Sequence, residues 1–429
     1  MTTWRNWSGS VSCSPTGIAK PSSLDEIVSL VQTCAANGKT IRAVGSGHSF
    51  TPLVASDHQL VSLDNYVGLE SVDGSAGTVT VRAGTKLKEL GEQLFENGLA
   101  QENLGDINEQ SIAGAISTGT HGTGVQFGSL STQVTGLTLV TGTGQVITCS
   151  DTDNSTLFKA AQVSLGALGL IVSVTLRVIP RYVLKIDIRK RELSECLANL
   201  DAHNRDNRHF EFHWIPYTNT VQAKFTNVSD EPPTGRSILR TVNEYVIENG
   251  ALWLFSAFNR QFPSMNERVC RTMAAFITDA SGISHAHDVF ATARLVKFQE
   301  MEYNLPADAF SVVLSEIDEM IRRKRIQVHF PIECRFVRGD DIYLSPAYGR
   351  NSAYIAVHMF RGMPYRHYFE EVEAICVKHG GRPHWGKMHF RTASTLEPSY
   401  PMWRAFQEQR SICDPYRMFT TPYIESILG

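Results

Sequence analysis

The chain has no cysteine pair at C-x-x-C spacing, no long apolar run and no excess of either charge. Its eight cysteines, Cys13 to Cys413, are scattered, which argues against a zinc site and against a disulfide framework. A formal net charge of −3 over 429 residues gives no electrostatic case for nucleic acid. The densest basic run, Arg322-Arg323-Lys324-Arg325, closes a helical pattern, where cations suit the helix dipole. The most apolar stretch, Ala251–Phe258, falls far short of the ~20 residues that a spanning helix needs. The N-terminus, beginning Met1-Thr2-Thr3-Trp4, has no apolar h-region, so no secretory signal is expected. The expectation is therefore a soluble, thiol-reduced, cytoplasmic protein without a transmembrane segment. No metal is expected either: His285 with His287, and the group His203, His209 and His213, lack a cysteine or carboxylate partner at ligand spacing.

What is there divides near Pro180. The first 180 residues are rich in Gly, Ser, Thr and Val. Short β-like runs at 40–44, 59–63, 78–83, 137–141, 145–148 and 170–178 are bounded by Gly, Asp or Asn. Two helices interrupt them: 24–36, with Ser22-Ser23 before it and Asn37-Gly38 after it, and 86–97, stopped by Gly98. From 181 to 410 aromatics and charges increase. Strands are expected at 210–214, 328–336 and 354–360, helices at 192–199, 308–324, 368–378 and 400–410, and a polar surface loop at 227–236. The reading is α+β: a nucleotide-type domain over 1–180, to which 411–429 returns, and a substrate domain over 181–410.

Two segments carry chemistry. In Val44-Gly45-Ser46-Gly47-His48-Ser49-Phe50 a strand enters a tight glycine turn whose backbone N–H groups can cradle an anion such as pyrophosphate. Phe50 stands where the dinucleotide fingerprint requires its third glycine, which disfavours a nicotinamide-binding Rossmann domain. Residues 103–124 (NLGDINEQSIAGAISTGTHGTG) are small and dense in backbone donors and hydroxyls, suiting a wall laid flat against a large planar ligand and its phosphates.

Together these segments resemble the vanillyl-alcohol-oxidase type of FAD flavoprotein. Ser164-Leu165-Gly166-Ala167-Leu168-Gly169-Leu170-Ile171 fits the same domain. Glu333-Cys334-Arg335, Arg338-Gly339-Asp340-Asp341 and Arg382-Pro383-His384-Trp385-Gly386-Lys387 are similar to the sugar-lactone and alditol oxidases, so the likeness spans nearly the whole chain. It implies a two-subdomain FAD-binding domain plus an α+β cap domain with an antiparallel sheet. It also implies a substrate that is an aldono-1,4-lactone of the L-gulono type, or a polyol such as xylitol.

The resemblance assigns FAD contacts to Val44, Gly45, Ser46, Gly47, His48, Ser49, Ser111, Gly114, Ser117, Thr118, Gly119, His121, Gly122, Gly169 and Ile171, with His48 bonded covalently to the 8α-methyl of the flavin. Gly105 matches a gate beside the reactive face, where glycine is similar to the oxygen-using members and alanine to the dehydrogenases. Glu333, Arg335 and Lys387 take the catalytic positions. On a strand, Glu333 and Arg335 share a face, and a carboxylate–guanidinium pair can serve either as a bidentate sugar clamp or as a structural ion pair. The substrate pocket takes Asp106, Glu300, His358 and His384. Asp106 departs from the alditol oxidases, which have serine there, Glu300 replaces their glutamine and Phe360 their threonine, and these differences favour the aldonolactone branch. The implied reaction is hydride transfer to flavin N5, with molecular oxygen reoxidising the flavin to give hydrogen peroxide; a dehydrogenase using a cytochrome or quinone is the alternative.

Overall fold

A computed structural model describes residues 3–234, 249–290 and 295–429. Strands β1 (Gly17–Ala19), β2 (Ile41–Ala43) and β3 (Gln59–Val61) form a small parallel sheet with β3 central. A second, antiparallel sheet joins β4 (Leu69–Asp73), β5 (Thr78–Arg82), β6 (Val134–Val140), β7 (Val146–Ser150) and β8 (Leu170–Arg177) in the order β7-β6-β8-β5-β4. Helix α1 (Leu24–Ala36) begins where Ser23 Oγ accepts the Glu26 N–H. It buries Ile27, Val31 and Cys34, spaced at three and four residues on one face. Helices α2 (Leu87–Glu96) and α3 (Ile112–Ser117) complete this side, and their apolar residues share one core with both sheets.

That core is closed by the far end of the chain. Leu396, Tyr400, Trp403, Phe406, Phe419, Ile424 and Ile427 belong to it. The buried Arg42 guanidinium donates to the carbonyls of Leu165, Gly166 and Phe419, tying strand β2 to both later segments.

The other core lies behind an eight-stranded antiparallel sheet. Its strands are β9 (Val183–Glu192), β10 (His209–Trp214), β11 (Thr220–Val228), β12 (Ala280–His285), β13 (Phe298–Pro306), β14 (Ile332–Val337), β15 (Ser352–Phe360) and β16 (Arg382–Pro383), in the order β12-β9-β11-β10-β14-β15-β13-β16. Side chains alternate between faces. Phe210, Phe212, Trp214, Met301, Tyr303, Leu305, Ile332, Cys334, Phe336, Ile355, Val357 and Met359 point to the apolar side. There they meet helix α6 (Phe310–Lys324) through Phe310, Val313, Leu314, Ile317 and Ile321, and helix α7 (Arg366–Lys378) through Phe369 and Val372. Two further helices, α4 (Asn249–Gln261) and α5 (Asn266–Phe276), stand beside this layer.

The opposite face is polar, and its register makes a grid. Glu211, Arg335, Tyr354 and Asn304 stand opposite one another across β10, β14, β15 and β13. The next row is His213, Glu333, Ala356 and Glu302; beyond it His358 faces Glu300. Of the α+β reading, the strands at 78–83 and 170–178 and the helix at 24–36 recur to within a residue. The run at 328–336 does not begin as a strand, since β14 starts only at Ile332. The loop reading at 227–236 is corrected at its start: Asn227 and Val228 pair with Lys185 and Leu184 inside β11, while 235 and 236 fall outside the described residues. The basic run does close helix α6, with Arg325 in the left-handed conformation at its C-cap. All eight cysteines are unpaired, and among the described residues no helix is long and apolar enough to cross a membrane.

Candidate active site

The polar face of the large sheet looks onto the glycine-rich segments, and one cavity lies between them. It is lined by Glu300 and Glu302 from β13, Glu333 and Arg335 from β14, His358 from β15, and His384, Gly386 and Lys387 beyond β16. His48, Ser49 and Phe50 come from the first glycine turn, and Gly105, Asp106, Thr118 and His121 from the second segment. The 382–388 stretch is docked beside β13 by backbone bonds, His384 N to Glu302 O (2.9 Å) and Met388 N to Glu300 O (2.9 Å). Backbone bonds also join the two halves: Phe50 N to Gly386 O (2.7 Å) and Gly124 N to Phe336 O (2.7 Å).

Charge is paired throughout the cavity. Lys387 Nζ lies 2.5 Å from Glu300 Oε1, and His358 Nε2 is 3.5 Å from the same oxygen. Burial alone would raise the Glu300 carboxyl, but Lys387 and His358 outweigh it and hold it at about 2. Arg335 meets three carboxylates: Glu333 at 2.6 Å, Asp106 at 2.8 Å and Glu211 at 2.8 Å. Glu211 in turn takes Lys224 at 2.7 Å, and against the opposing effect of burial Arg335 and Lys224 hold it at about 2. Glu333 and Arg335 do share a face, as alternation on a strand requires, and in this structure they bind each other. His358 Nδ1 faces the Pro331 carbonyl at 3.1 Å and so carries a hydrogen, while Nε2 is turned towards Glu300 and the cavity. His384 is the reverse: its Nδ1 accepts the Gly386 N–H at 3.0 Å, leaving the hydrogen on Nε2. Burial pushes His384 down to about 3, so it is neutral.

The remaining positions expected to contact FAD line no part of this cavity. The backbone N–H groups of Gly45 through Ser49 donate no hydrogen bond within the described residues, and those of His121, Gly122 and Thr123 donate none either. Such bare donors on a glycine turn are what a pyrophosphate takes up. A Cβ on Gly45 would stand 2.6 Å from Ser111 Oγ and one on Gly114 3.1 Å from the same oxygen, so these three residues border one narrow cleft. Gly122 approaches the Leu104 carbonyl so closely that no side chain fits, and Gly47 and Gly119 have positive φ. Val44 donates its N–H to Val61 O, Ser46 Oγ donates to Glu109 O, and Ser117, Gly169 and Ile171 pack in or beside the first core. A planar dinucleotide with a diphosphate fits this wall; a nicotinamide fingerprint remains absent. His48 stacks on Trp7 with centroids 5.8 Å apart, and burial, Lys387, Lys297 and Lys86 lower it to about 4, leaving a neutral, nucleophilic ring.

Sequence reasoning missed Glu302, Glu211 and Lys224. Glu302 could have been found from Glu300, two residues away on one strand. Glu211 and Lys224 depend on the pairing register of β10 with β11, which no local motif announces. His121, Glu302 and His384 bring one ligand-type atom each within 4.8 Å of one another. The hydrogen on His384 Nε2 makes the trio a poor ligand set, because metal-bound imidazole needs a lone pair at the bound nitrogen.

Comparison with known proteins follows the same division. The family described as "D-arabinono-1,4-lactone oxidase" matches residues 174–427, and the one described as "FAD binding domain" matches residues 15–150. L-gulono-1,4-lactone dehydrogenase of Mycobacterium tuberculosis is 41% identical, over 99% of both chains. L-gulonolactone oxidase of Mus musculus is 32% identical over 99% of this chain and 98% of its own. Among solved structures, cholesterol oxidase from B. sterolicum superposes with a TM-score of 0.85 at 19% identity, covering 100% of this chain and 96% of that one.

Proposed function

Because this chain belongs to the D-arabinono-1,4-lactone oxidase family of FAD-dependent oxidoreductases acting on CH–OH groups, we propose that it oxidises a hydroxyl of an aldono-1,4-lactone to the keto lactone, an ascorbate analogue, with oxygen as the electron acceptor. The observation that carries this reading is the convergence of Lys387–Glu300, Arg335–Glu333–Asp106, His358 and His384 on one cavity beside His48. Bound FAD supplies the two-electron sink, which no side chain of the pocket can provide. Polyhydroxyl recognition falls to the fixed charges: Asp106, Glu300 and Glu333 accept from sugar hydroxyls, and the Nε2–H of His384 donates to them. One hydrogen of the Lys387 ammonium is taken by Glu300. The others can stabilise negative charge on the reacting oxygen as the C–H electron pair leaves. When neutral, His358 can take the hydroxyl proton at Nε2, and Glu300 steadies the imidazolium that results. We further propose that His48 carries the flavin covalently.

Gly105 on the cavity wall supports the oxidase reading. The name of the Mycobacterium tuberculosis relative supports a dehydrogenase as the second reading. The two separate by peroxide yield in air against reduction of an added cytochrome under argon. A Gly105→Ala variant is a poor discriminator, since the new Cβ would stand 2.9 Å from the His121 carbonyl and displace that loop. The decisive experiment adds L-gulono-1,4-lactone, D-arabinono-1,4-lactone and xylitol separately to the purified protein and follows bleaching of the flavin. Bleaching by a lactone is expected; bleaching by xylitol alone would move the enzyme to the alditol oxidases. An acid-precipitated pellet that retains yellow colour in the wild type but not in His48→Ala is the result expected for the covalent bond.

A further inference from the structure

His121 has one hydrogen bond too many for a neutral ring. Its Nδ1 lies 2.8 Å from the Gly122 carbonyl, which only accepts, so Nδ1 carries a hydrogen. Its Nε2 lies 3.1 Å from Glu302 Oε1, and an ionised carboxylate also only accepts. One proton must therefore lie between them, with the pair written either as imidazolium and carboxylate or as imidazole and carboxylic acid. The contact differs from His358–Glu300, where 3.5 Å requires no shared proton.

The surroundings favour the first form. His121 and Glu302 are both buried, which by itself works against the charged form, so the neighbouring groups decide. The groups facing them are His384, which is neutral with its hydrogen on Nε2, Tyr354, the cations Lys387 and Arg335, and the Glu300 carboxylate. Although burial opposes it, Glu302 is drawn well below the usual carboxylate range by His121, His384 and Lys387. The His121 ring also lies flat on Tyr354, with centroids 3.7 Å apart and planes at 22°, and an aromatic face attracts a cationic ring. The strand that carries Glu302 is paired on both sides, to β15 and to β16, which fixes its backbone beside His121.

We propose that Glu302 holds His121 as an imidazolium, so that the glycine-rich loop carries the positive end of a buried ion pair on the flavin side, with the negative end on the sheet. Glu302 is a positioning residue in this scheme and acts through His121. The consequence for the flavin rests on the FAD reading above, whereas the protonation state does not. A fixed cation beside an electron acceptor favours the reduced, more negative form.

The test labels histidine with ¹⁵N in the holoprotein and assigns the His121 signals by their loss in His121→Gln. Wild-type protein near pH 7.5 is expected to show both His121 nitrogens in the protonated range. In Glu302→Gln the amide can donate to Nε2, which keeps the contact but removes both charges. One His121 nitrogen should then move to the unprotonated range, and the flavin midpoint potential should shift downward. An unprotonated Nε2 in the wild type would place the proton on Glu302 and overturn the proposal, with no variant needed. A Glu302→Gln protein whose His121 loses its proton while the potential stays unchanged would overturn the link to the flavin. If the purified protein binds no FAD, the functional reading fails, yet the nitrogen spectrum still decides the state of His121.

Discussion

Arg335 and Lys387 are both cations in a cavity of carboxylates, yet they answer to different demands. Arg335 is buried against Asp106, Glu211 and Glu333, so replacing it with methionine removes the cation that these three acids share. Arg335→Met is expected to lose about 3–5 kcal/mol of stability, visible as a lower urea midpoint. Lys387 is partly exposed, pairs with Glu300 and lies over the Phe50 ring. Lys387→Met should therefore fold, while anaerobic flavin reduction by the lactone slows on the order of 10²–10³-fold, the usual consequence of removing one group that stabilises developing charge. A Lys387→Met enzyme that reduces its flavin at the wild-type rate would remove this lysine from the chemistry. Glu333, Arg335 and Lys387 were visible as candidates in the sequence through the resemblance that their motifs carry. The excess of acid around Arg335 was not, since Glu211 lies 124 positions away and reaches it only through strand register.

Helix α4 shows how an element can be legible in period and illegible in direction. Its apolar run at 251–258 suggests a buried stripe, but Trp253, Leu254 and Phe258 face outward while Ser256 and Asn259 are fully buried. The inward side is held by His329, which contacts Ser256 Oγ at 2.8 Å and Asn259 Nδ2 at 3.0 Å, with Asn266 completing the network. Periodicity gives the width of a face, whereas the partner that decides which face is inside lies on a distant segment. Asn259→Ala should cost about 1–3 kcal/mol by leaving a buried polar group without its partner. Leu254→Ser should change stability by no more than about 0.5 kcal/mol. Equal losses in the two variants, measured by urea unfolding, would mean that the polar side is not what seats the helix. Strand β13 was overlooked for a related reason. Its Met301, Tyr303 and Leu305 alternate with Glu300, Glu302 and Asn304, a pattern that suits a strand with one face in water. Here the polar face meets the flavin side of the molecule.

At the scale of the whole molecule, burial holds many titratable groups in one state, and this sets the response to acid. His209, His329, His384 and His389 are all buried, and burial lowers them to about 4, 4, 3 and 4. Each stays neutral in the folded protein but binds a proton near pH 6.5 once unfolded. Their contribution is fully present above about pH 6.5 and is lost as pH falls towards 4, at up to about 1.4 kcal/mol per pH unit for each proton taken up on unfolding. Glu211 and Glu300, lowered to about 2, add a second loss that begins only below about pH 4.5. Urea midpoints measured from pH 8 to pH 5 should thus decline well before any carboxylate titrates, and a flat profile over that interval would refute the neutral-histidine account. The change of composition at Pro180 is legible in the sequence, but the contribution of Leu396, Tyr400, Trp403 and Phe406 to the first core is not, because their partners lie more than two hundred positions earlier. The grip of Arg42 on the Phe419 carbonyl turns this arrangement into a matter of timing. During synthesis, the glycine turn and its strands emerge early and then stand incomplete while some 240 further residues are added. Cofactor loading should consequently wait for residues 396–428: a ribosome-stalled chain ending at residue 390 would display the whole of the first glycine-rich wall and still have no closed core in which to keep a flavin.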